Sequence, residues 1–235
     1  MPRSKRVMDI VGSLVGFICL TPVLLLVAFV IKAVSPGPVV LRQKRVGHNG
    51  KTFMLWKFRT MRTDADTVVH EDHVRSLMTS NKPMTKLDVA RDPRIIPFGN
   101  LIRRCCLDEL PQLLNVLRGE MSLVGPRPCI PYEAAQYGPL ERCRFDAVPG
   151  LTGLWQVSGK NKTTFNEMIR LDIAYARRRS FWLDIAIILR TMPAICVEIA
   201  DALPHRRRRE TQQAPALAHT HPQTLDAGQL GTQHD

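Results

Sequence analysis

The sequence predicts an α+β protein that is mostly helical, with one N-terminal membrane helix, a small β-hairpin, amphipathic helices at a membrane surface and a disordered C-terminal tail. Three observations lead to this class: an uncharged apolar run, one stretch of alternating apolar and polar residues, and apolar residues at helical spacing. With 235 residues, 45% of them hydrophobic, the chain is long enough to bury a core.

The charge balance narrows the range of partners. A formal net charge of +12 favours a negatively charged partner: nucleic acid, an anionic membrane face or phosphorylated small molecules. Aromatic residues make up only 6% of the chain and do not alternate with basic residues, which argues against nucleic acid. The six cysteines lack metal-ligand spacing, so we interpret them as reduced thiols in a cytosolic setting.

Residues 10–31 form the apolar run and contain no charge. A helix of this length is about 33 Å long, close to the thickness of the bilayer's hydrocarbon layer. Basic residues flank the run on both sides, which by the positive-inside rule places both ends in the cytoplasm. Thr21-Pro22 stands at its middle, where proline kinks a helix. The residues alone leave a spanning helix and a re-entrant hairpin open, and both hold the chain in a membrane.

A β-hairpin is predicted next, because apolar and polar residues alternate on both sides of His48-Asn49-Gly50. Residues 62–91 are polar and aperiodic, so we expect a loop or a loosely held lid. Helical spacing returns afterwards, and one apolar helical stripe is predicted from the following side chains: Phe98, Leu101, Ile102, Cys105 and Cys106.

A second helix is predicted from Pro111, which suits a first helical position, to Gly119, which suits the residue after the last turn. This places Asp108 and Glu109 just ahead of a helix N-terminus, where the helix dipole favours negative charge. Residues 125–128 and 148–161 are Gly/Pro-rich loops, the usual location of binding groups.

Residues 165–200 predict one or two helices, of which the second is either buried or in contact with lipid because it has little polar face. From about Pro204 the sequence lacks periodicity, so we expect a disordered tail.

The acid pair by itself admits two interpretations. Asp108 could cap a helix while Glu109 contacts Gln112 or Arg104. Alternatively, one carboxylate attacks a phosphorus atom and the other holds a divalent cation. The dipeptide alone does not decide between capping and chemistry.

The surrounding motifs favour the chemical interpretation of the acid pair. In order, the chain carries KRxxD, SPGPV, RQKRVG, WKFRTM, DPRIIPFG, LDELPQLLNVLRGEMSLVGPRP and PGLTGLWQVSGKN. In this order and at these spacings it closely resembles the bacterial sugar transferases, monotopic polyprenyl-phosphate sugar-1-phosphate transferases, from about Lys5 to Glu198. The resemblance implies a re-entrant helix broken at Thr21-Pro22, although family members more often have Ser-Pro there.

The resemblance also implies a reaction. A hexose-1-phosphate would pass from a UDP-sugar, with glucose or galactose favoured, to undecaprenyl phosphate with release of UMP, initiating exopolysaccharide synthesis. The enzyme would act at the cytoplasmic side of the bacterial inner membrane, with downstream glycosyltransferases as further partners. Residues 1–34 would form the membrane helix, residues 35–200 the catalytic domain and residues 201–235 the tail.

By the same resemblance, Asp108 would be the nucleophile that forms a covalent phosphosugar intermediate, and Glu109 would hold Mg²⁺. We expect Arg127 to be the most important phosphate clamp. Further candidate clamps, for which ion pairing with interior acids is the alternative, are Lys57, Arg59 and Arg94.

Two rival functions remain from the sequence. A non-catalytic, membrane-anchored module that binds anionic lipid or polymer would explain the basic charge and the anchor, but not the acid pair. A glycosyltransferase that acts directly on an oligosaccharide would release a nucleoside diphosphate instead of the monophosphate.

Overall fold

The computed structural model describes residues 2–62, 68–80, 83–84 and 94–202. The chain divides into two units, Met1–Ala200 and Asp201–Asp235. The tail predicted from Pro204 lies outside the described residues, so the first unit is described below. As predicted, the described part of the chain is mostly helical and has little strand structure.

The apolar run forms helix α1, Arg3–Val34. Pro22 lies inside this helix, and the Thr21 hydroxyl donates a hydrogen bond to the Phe17 carbonyl at 2.6 Å. A proline removes one helix hydrogen bond and a back-bonded threonine favours bending, so the middle of α1 is its weakest point. Within the described residues, α1 is the one helix that is long and apolar enough to cross a membrane. The re-entrant path stays a prediction.

Both halves of α1 pack against the rest of the unit. In the first half, the buried residues Lys5, Asp9 and Ser13 recur at intervals of four and therefore share one face. The second half contributes to an apolar cluster with residues of later elements. The buried members of this cluster are Val27, Ile31, Phe58, Ile96 and Ile102.

The predicted β-hairpin is confirmed. Strands β1 (Val40–Val46) and β2 (Thr52–Phe58) are antiparallel, and the first residue of β1 opposes the last residue of β2. Asn49 and Gly50 have φ angles of 55° and 71°, the left-handed backbone that an Asn-Gly turn accommodates.

Helix α2, Val68–Thr79, shows that the prediction of a loop or lid across residues 62–91 was wrong for this part. Val74 and Leu77 are buried and lie on one face of α2. This face is too narrow to stand out among the polar residues around it, so the sequence pattern does not reveal it. The remainder of the segment, apart from residues 62, 80 and 83–84, lies outside the described residues.

Helix α3, Gly99–Arg104, is shorter than the predicted apolar stripe. Phe98 and Cys106 have left-handed backbone, with φ angles of 63° and 55°, so the helix does not extend through them. Phe98 and Leu101 are 62% and 59% exposed, whereas Ile102 is buried. The prediction of one continuous helical stripe was therefore wrong.

A 3₁₀ helix, Leu107–Gln112, follows and is here called the acid-pair turn. It leads directly into α4, Leu113–Arg118. Gly119 ends α4 with a φ of 80°, as predicted, while Pro111 lies inside the acid-pair turn rather than at the first position of a helix.

Two short strands join the predicted Gly/Pro-rich loops. β3 (Ser122–Val124) pairs in parallel with β4 (Gly150–Thr152). The Gly125 amide then donates to the Thr152 carbonyl at 2.9 Å. A β-carbon at Gly125 would lie 2.2 Å from the Val148 carbonyl oxygen, so only glycine permits this approach.

The remaining helices complete the unit, and α8 and α9 confirm the helices predicted for residues 165–200. A capping box between Thr164 and Glu167 starts α8. The short helices are α5 (Pro131–Ala135), α6 (Pro139–Arg142) and α7 (Leu154–Val157), and the long ones are α8 (Phe165–Arg178) and α9 (Phe181–Ala202). Further 3₁₀ turns are His48–Gly50, Cys143–Asp146 and Lys160–Lys162.

A buried ion pair ties α1 to α9. The Lys5 ammonium lies 2.7 Å from the Asp184 carboxylate and also donates to the Tyr175 hydroxyl and the Val124 carbonyl. The side chains of Lys5 and Asp184 are 10% and 1% exposed. Water therefore has little access to solvate either charge if the ion pair is broken.

We expect Asp184→Asn to lower the free energy of unfolding by about 3 kcal/mol, because it removes the carboxylate that pairs with the buried Lys5 ammonium. Urea unfolding in detergent micelles, followed by tryptophan fluorescence, measures this change. The control is Asp146→Asn at an exposed carboxylate, which should change the free energy of unfolding by less than about 0.5 kcal/mol. Equal stability of both variants would contradict the prediction.

Candidate active site

The acid pair lies in the first turn of the 3₁₀ helix that precedes α4. The Glu109 amide donates to the carbonyl of Cys106, whose left-handed backbone turns the chain into this helix. Neither the acid-pair turn nor α4 has a side-chain capping hydrogen bond at its start. The geometry therefore does not support Asp108 as a helix cap.

Strand β2 packs against the acid-pair turn and places Lys57 beside it. Burial and the nearby charge of Arg45 lower the pKa of Lys57 to about 8, and the negative charges of Asp108 and Glu109 oppose this change. The structure therefore brings Lys57 and the acid pair together. Near neutral pH the lysine is a partly desolvated cation next to two carboxylates.

Arg45, on β1, connects this group to the GPRP loop (residues 125–128). Its guanidinium donates to the Pro128 carbonyl at 3.2 Å and to Gln43 Oε1 at 2.8 Å. Burial, and then the charge of Arg127, lower the pKa of Arg45 to about 10, while Glu109 is close enough to act in the opposite sense. Arg45 lies in the RQKRVG motif but was not among the predicted site residues.

Arg127 of the GPRP loop forms a two-pronged ion pair with the buried Glu133 of α5. Its Nη1 lies 2.9 Å from Glu133 Oε2 and 3.2 Å from Oε1, and its Nη2 lies 3.2 Å from Oε1. Burial alone would raise the pKa of Glu133, but the charge and hydrogen bonds of Arg127 lower it. The Arg127 side chain is 21% exposed, which leaves part of it accessible to a ligand. Its role as a phosphate clamp remains a prediction.

A second arginine fixes the backbone of the same loop. Arg144 is fully buried and donates to the Arg127 carbonyl at 2.7 Å and to the Tyr137 hydroxyl at 2.6 Å. Arg144 also pairs with Asp172, whose pKa burial raises to about 6 despite that positive charge. The GPRP loop therefore rests on a buried polar network.

Arg59 is not directed at the acid pair. Its guanidinium is buried and donates to the Ser35 carbonyl at 2.7 Å and to the Pro36 carbonyl, which hold the chain as it leaves α1. Arg94 lies in the turn before α3, where its carbonyl accepts a hydrogen bond from the Arg62 amide. For both residues phosphate binding remains a prediction, and the contacts of Arg59 favour a structural role.

Lys160 is a site residue that was not identified from the sequence. Its ammonium lies 2.9 Å from Glu198 Oε2 and 3.7 Å from the Cys106 sulfur. Burial alone would lower the pKa of Lys160, but the negative charge of Glu109, followed by Cys106 and Glu198, raises it. The only sequence signal is its place in the SGKN motif, which gives no indication that it approaches Glu109.

The acid pair is the candidate donor set for Mg²⁺. Among the described residues no group of three or more His, Cys, Asp or Glu side chains could hold a metal ion. Two adjacent carboxylates nevertheless fit Mg²⁺, which takes many of its oxygen ligands from water and substrate phosphates. Glu109, with Asp108 beside it, could hold such an ion, whereas the arrangement does not fit a metal that needs an all-protein cage.

Comparisons with known proteins match nearly the whole first unit. A family model described as bacterial sugar transferase matches residues 2–198. The exopolysaccharide production protein ExoY of Sinorhizobium fredii is 38% identical over 194 residues, which cover 83% of this chain and 86% of ExoY.

Larger relatives match over part of their length. The galactosyl transferase CpsE of Streptococcus agalactiae serotype III is 43% identical, covering 82% of this chain and 42% of CpsE. The UDP-glucose:undecaprenyl-phosphate glucose-1-phosphate transferase of Escherichia coli K12 is 38% identical, covering 80% of this chain and 39% of that relative. The chain therefore spans most of ExoY and less than half of the other two proteins.

The lowered pKa of Lys57 predicts a pH-dependent stability difference. Between about pH 8 and lysine's ordinary pKa of 10.5, the folded chain binds fewer protons at this site than the unfolded chain. The contribution of Lys57 to the free energy of unfolding therefore rises with pH in this window. We expect Lys57→Met to be more stable than the wild type at pH 7, by about 2 kcal/mol, and to lose this advantage by about pH 10.5.

Urea unfolding at pH 7, 9 and 10.5 measures the difference between the two proteins. Lys51→Met, at an exposed position of the same hairpin, is the control and should follow the wild type. A constant difference in the free energy of unfolding between Lys57→Met and the wild type across these pH values would contradict the lowered pKa of Lys57.

Proposed function

Because the chain belongs to the bacterial sugar transferase family, we propose that it is a polyprenyl-phosphate hexose-1-phosphate transferase. It transfers the hexose-1-phosphate of a UDP-sugar to undecaprenyl phosphate and releases UMP. Relatives named as a glucose-1-phosphate transferase and as an undecaprenyl-phosphate galactose phosphotransferase support glucose or galactose as the sugar. The relatives named as exopolysaccharide production proteins support a role at the start of exopolysaccharide synthesis.

The observation that carries this proposal is the acid pair next to desolvated cations. Lys57, Lys160 and Arg45 are each close enough for the charge of Glu109 to influence their pKa. Carboxylates alone would repel a pyrophosphate group, and cations alone would bind it without chemistry. Together they provide a nucleophile and the positive charge that lets an anionic substrate approach it.

In the proposed reaction a carboxylate oxygen of Asp108 attacks the phosphorus that carries the sugar. The new Asp108–phosphorus bond forms as the bond from phosphorus to the bridging oxygen breaks, and UMP departs with that electron pair. A phosphate oxygen of undecaprenyl phosphate then attacks the same phosphorus. This second step releases the Asp108 carboxylate and forms the lipid diphosphate sugar.

The basic residues bind and orient the phosphates. Lys57 and Lys160 lie near the acid pair, and Arg45 extends the positive charge to the GPRP loop. Arg127 of that loop is the further candidate clamp, and its charge is paired with Glu133. Glu109 would hold Mg²⁺, which when bound supplies further positive charge to the substrate phosphates. Positioning and charge stabilisation dominate phosphoryl transfer, so these residues account for much of the expected rate.

The contacts of α1 support a re-entrant, monotopic attachment to the inner membrane. The buried side chains of α1 lie near both of its ends, with Lys5, Asp9 and Ser13 in the first half and Val27 and Ile31 in the second, and all pack against the same unit. A helix that crossed the whole bilayer would carry one end away from a unit that stays on one side. Basic residues at both ends favour the cytoplasmic side, where the soluble nucleotide sugar is found.

Asp108→Asn should retain the fold and membrane attachment but reduce UMP release at least about a thousandfold, because the amide is a poor nucleophile. The assay uses full-length protein in nanodiscs with undecaprenyl phosphate and, in separate reactions, UDP-glucose and UDP-galactose. Asp146→Asn is the matched control and should equal the wild type.

Three results would contradict parts of this proposal. Normal turnover by Asp108→Asn would exclude this nucleophile. Release of UDP by the wild type would favour direct glycosyl transfer to an oligosaccharide. Binding of anionic lipid by a wild type that releases no nucleotide would favour the non-catalytic module.

The topology prediction uses single cysteines in a cysteine-free variant that retains activity. Ser4→Cys and Ser35→Cys, at the two ends of α1, should both react with an impermeant maleimide in inside-out vesicles. Neither should react in right-side-out vesicles, because both ends lie in the cytoplasm. Labelling of the two positions from opposite sides would establish a spanning helix.

A further inference from the structure

The first turns of α1 contact the elements that form the active site. Its charged residues, apart from acting as basic flanks, have no part in the proposed function. Lys5 pairs with α9, and Asp9 accepts hydrogen bonds from the Ser122 hydroxyl and the Leu123 amide of β3, both at 2.9 Å. Between them, Arg6 extends to α4, the helix that continues the acid-pair turn.

Arg6 covers the C-terminal end of α4. Its Nη1 donates to the Val116 carbonyl and its Nη2 to the Leu117 carbonyl, both at 2.6 Å. Carbonyls in the last turn of a helix lack α-helical partners and carry the negative end of the helix dipole, so a guanidinium there is favourable on both counts. A β-carbon at Gly119 would lie 3.5 Å from Arg6 Nη2, which places Arg6 against the residue that ends α4.

The packing beside Arg6 also joins α1 to α4. A β-carbon at Gly16 would lie 3.4 Å from Leu113 Cδ1, so the first residue of α4 lies against α1 one residue after the acid-pair turn ends. α4 therefore contacts α1 at its beginning, near Gly16, and at its end, through Arg6. The α4 segment is antiparallel to the first half of α1 and is held at both ends.

Helix α4 is connected directly to the acid-pair turn and, through Asn115, to the strand that carries Lys57. The acid-pair turn and α4 follow one another without a break, so a shift of α4 carries Asp108 and Glu109 with it. The buried Asn115 of α4 accepts a hydrogen bond from the Trp56 amide and donates one to the Met54 carbonyl. These contacts align α4 with β2, the strand that carries Lys57.

We propose that Arg6 is a positioning residue for catalysis: by holding the end of α4, it makes the membrane anchor set the position of Asp108 and Glu109 relative to Lys57. The guanidinium of Arg6 donates to carbonyls of α4, so it acts through the α4 backbone. This inference rests on the proposed function. It implies that α1 has a role in the reaction step in addition to holding the chain at the membrane.

The test compares Arg6→Gln, Arg6→Lys and Arg3→Gln in full-length protein in nanodiscs. Arg3 is exposed on the same turn of α1, so Arg3→Gln removes the same charge from the same flank and controls for membrane attachment. Arg6→Lys keeps the charge but offers one ammonium in place of the two-pronged guanidinium.

Two measurements are made on each variant. The first is hydrogen exchange of the amides in residues 107–118, which should be about tenfold faster in Arg6→Gln than in the wild type and unchanged in Arg3→Gln. The second is steady-state transfer, in which Arg6→Gln should lower kcat about tenfold while KM for the UDP-sugar stays within about twofold, with Arg6→Lys intermediate.

Several outcomes would overturn the inference. The first is that Arg6→Gln has the same exchange and kcat as the wild type. The second is that Arg3→Gln has effects equal to those of Arg6→Gln. The third is that exchange becomes faster throughout the unit and activity falls in proportion to the amount of folded protein. If Arg6→Gln does not fold, wild-type exchange and kcat in Arg6→Lys would likewise overturn it. A wild type that transfers no sugar phosphate would instead overturn the proposed function, whereas the exchange measurement judges the contact between Arg6 and α4 by itself.

Discussion

The structure depends on charged side chains that are buried along one face of the apolar helix α1. Lys5 and Asp9 lie on α1, and a buried charge is costly unless hydrogen-bonding partners replace the lost water. Asp184 and Tyr175 provide partners for Lys5, and β3 provides them for Asp9. Because these partners come from elements far along the chain, α1 cannot separate from the unit without leaving charges unpaired. Helix α1 is therefore part of the folded core.

The same cost of burying charge shapes the active site. Several cations lie near the acid pair. Burial disfavours the charged form of Lys57 and, together with the positive charge of Arg45, lowers its pKa to about 8. Behind the GPRP loop, by contrast, Glu133 and Asp172 offset the charges of two arginines and make that region a rigid support. The phosphate groups of the proposed substrates would supply negative charge to the cations near the acid pair.

The sequence predicted the acid pair and Lys57 as site residues, but it did not separate basic residues with different surroundings. Arg59 and Lys57 stand two residues apart in the same motif. Lys57 faces the acid pair, whereas Arg59 uses its guanidinium to hold the backbone at the end of α1. Arg45 on β1 and Lys160 in a turn near α8 lie close enough to Glu109 for its charge to raise their pKa values, a proximity that no local pattern reveals. Residue type indicates which atoms can bind phosphate, and tertiary contacts decide which of them are already occupied.

The sequence by itself determined the features that depend on neighbouring residues: the apolar helix α1, the Asn-Gly hairpin, the end of α4 at Gly119 and the helices within residues 165–200. Each follows from local periodicity or from the backbone preference of a turn residue. Only the tertiary structure decided that α2 is a helix, that α3 stops before the acid-pair turn, and that Arg6 covers the end of α4. These features arise from burial and hydrogen bonds between residues that are distant in sequence, so a local pattern does not contain them.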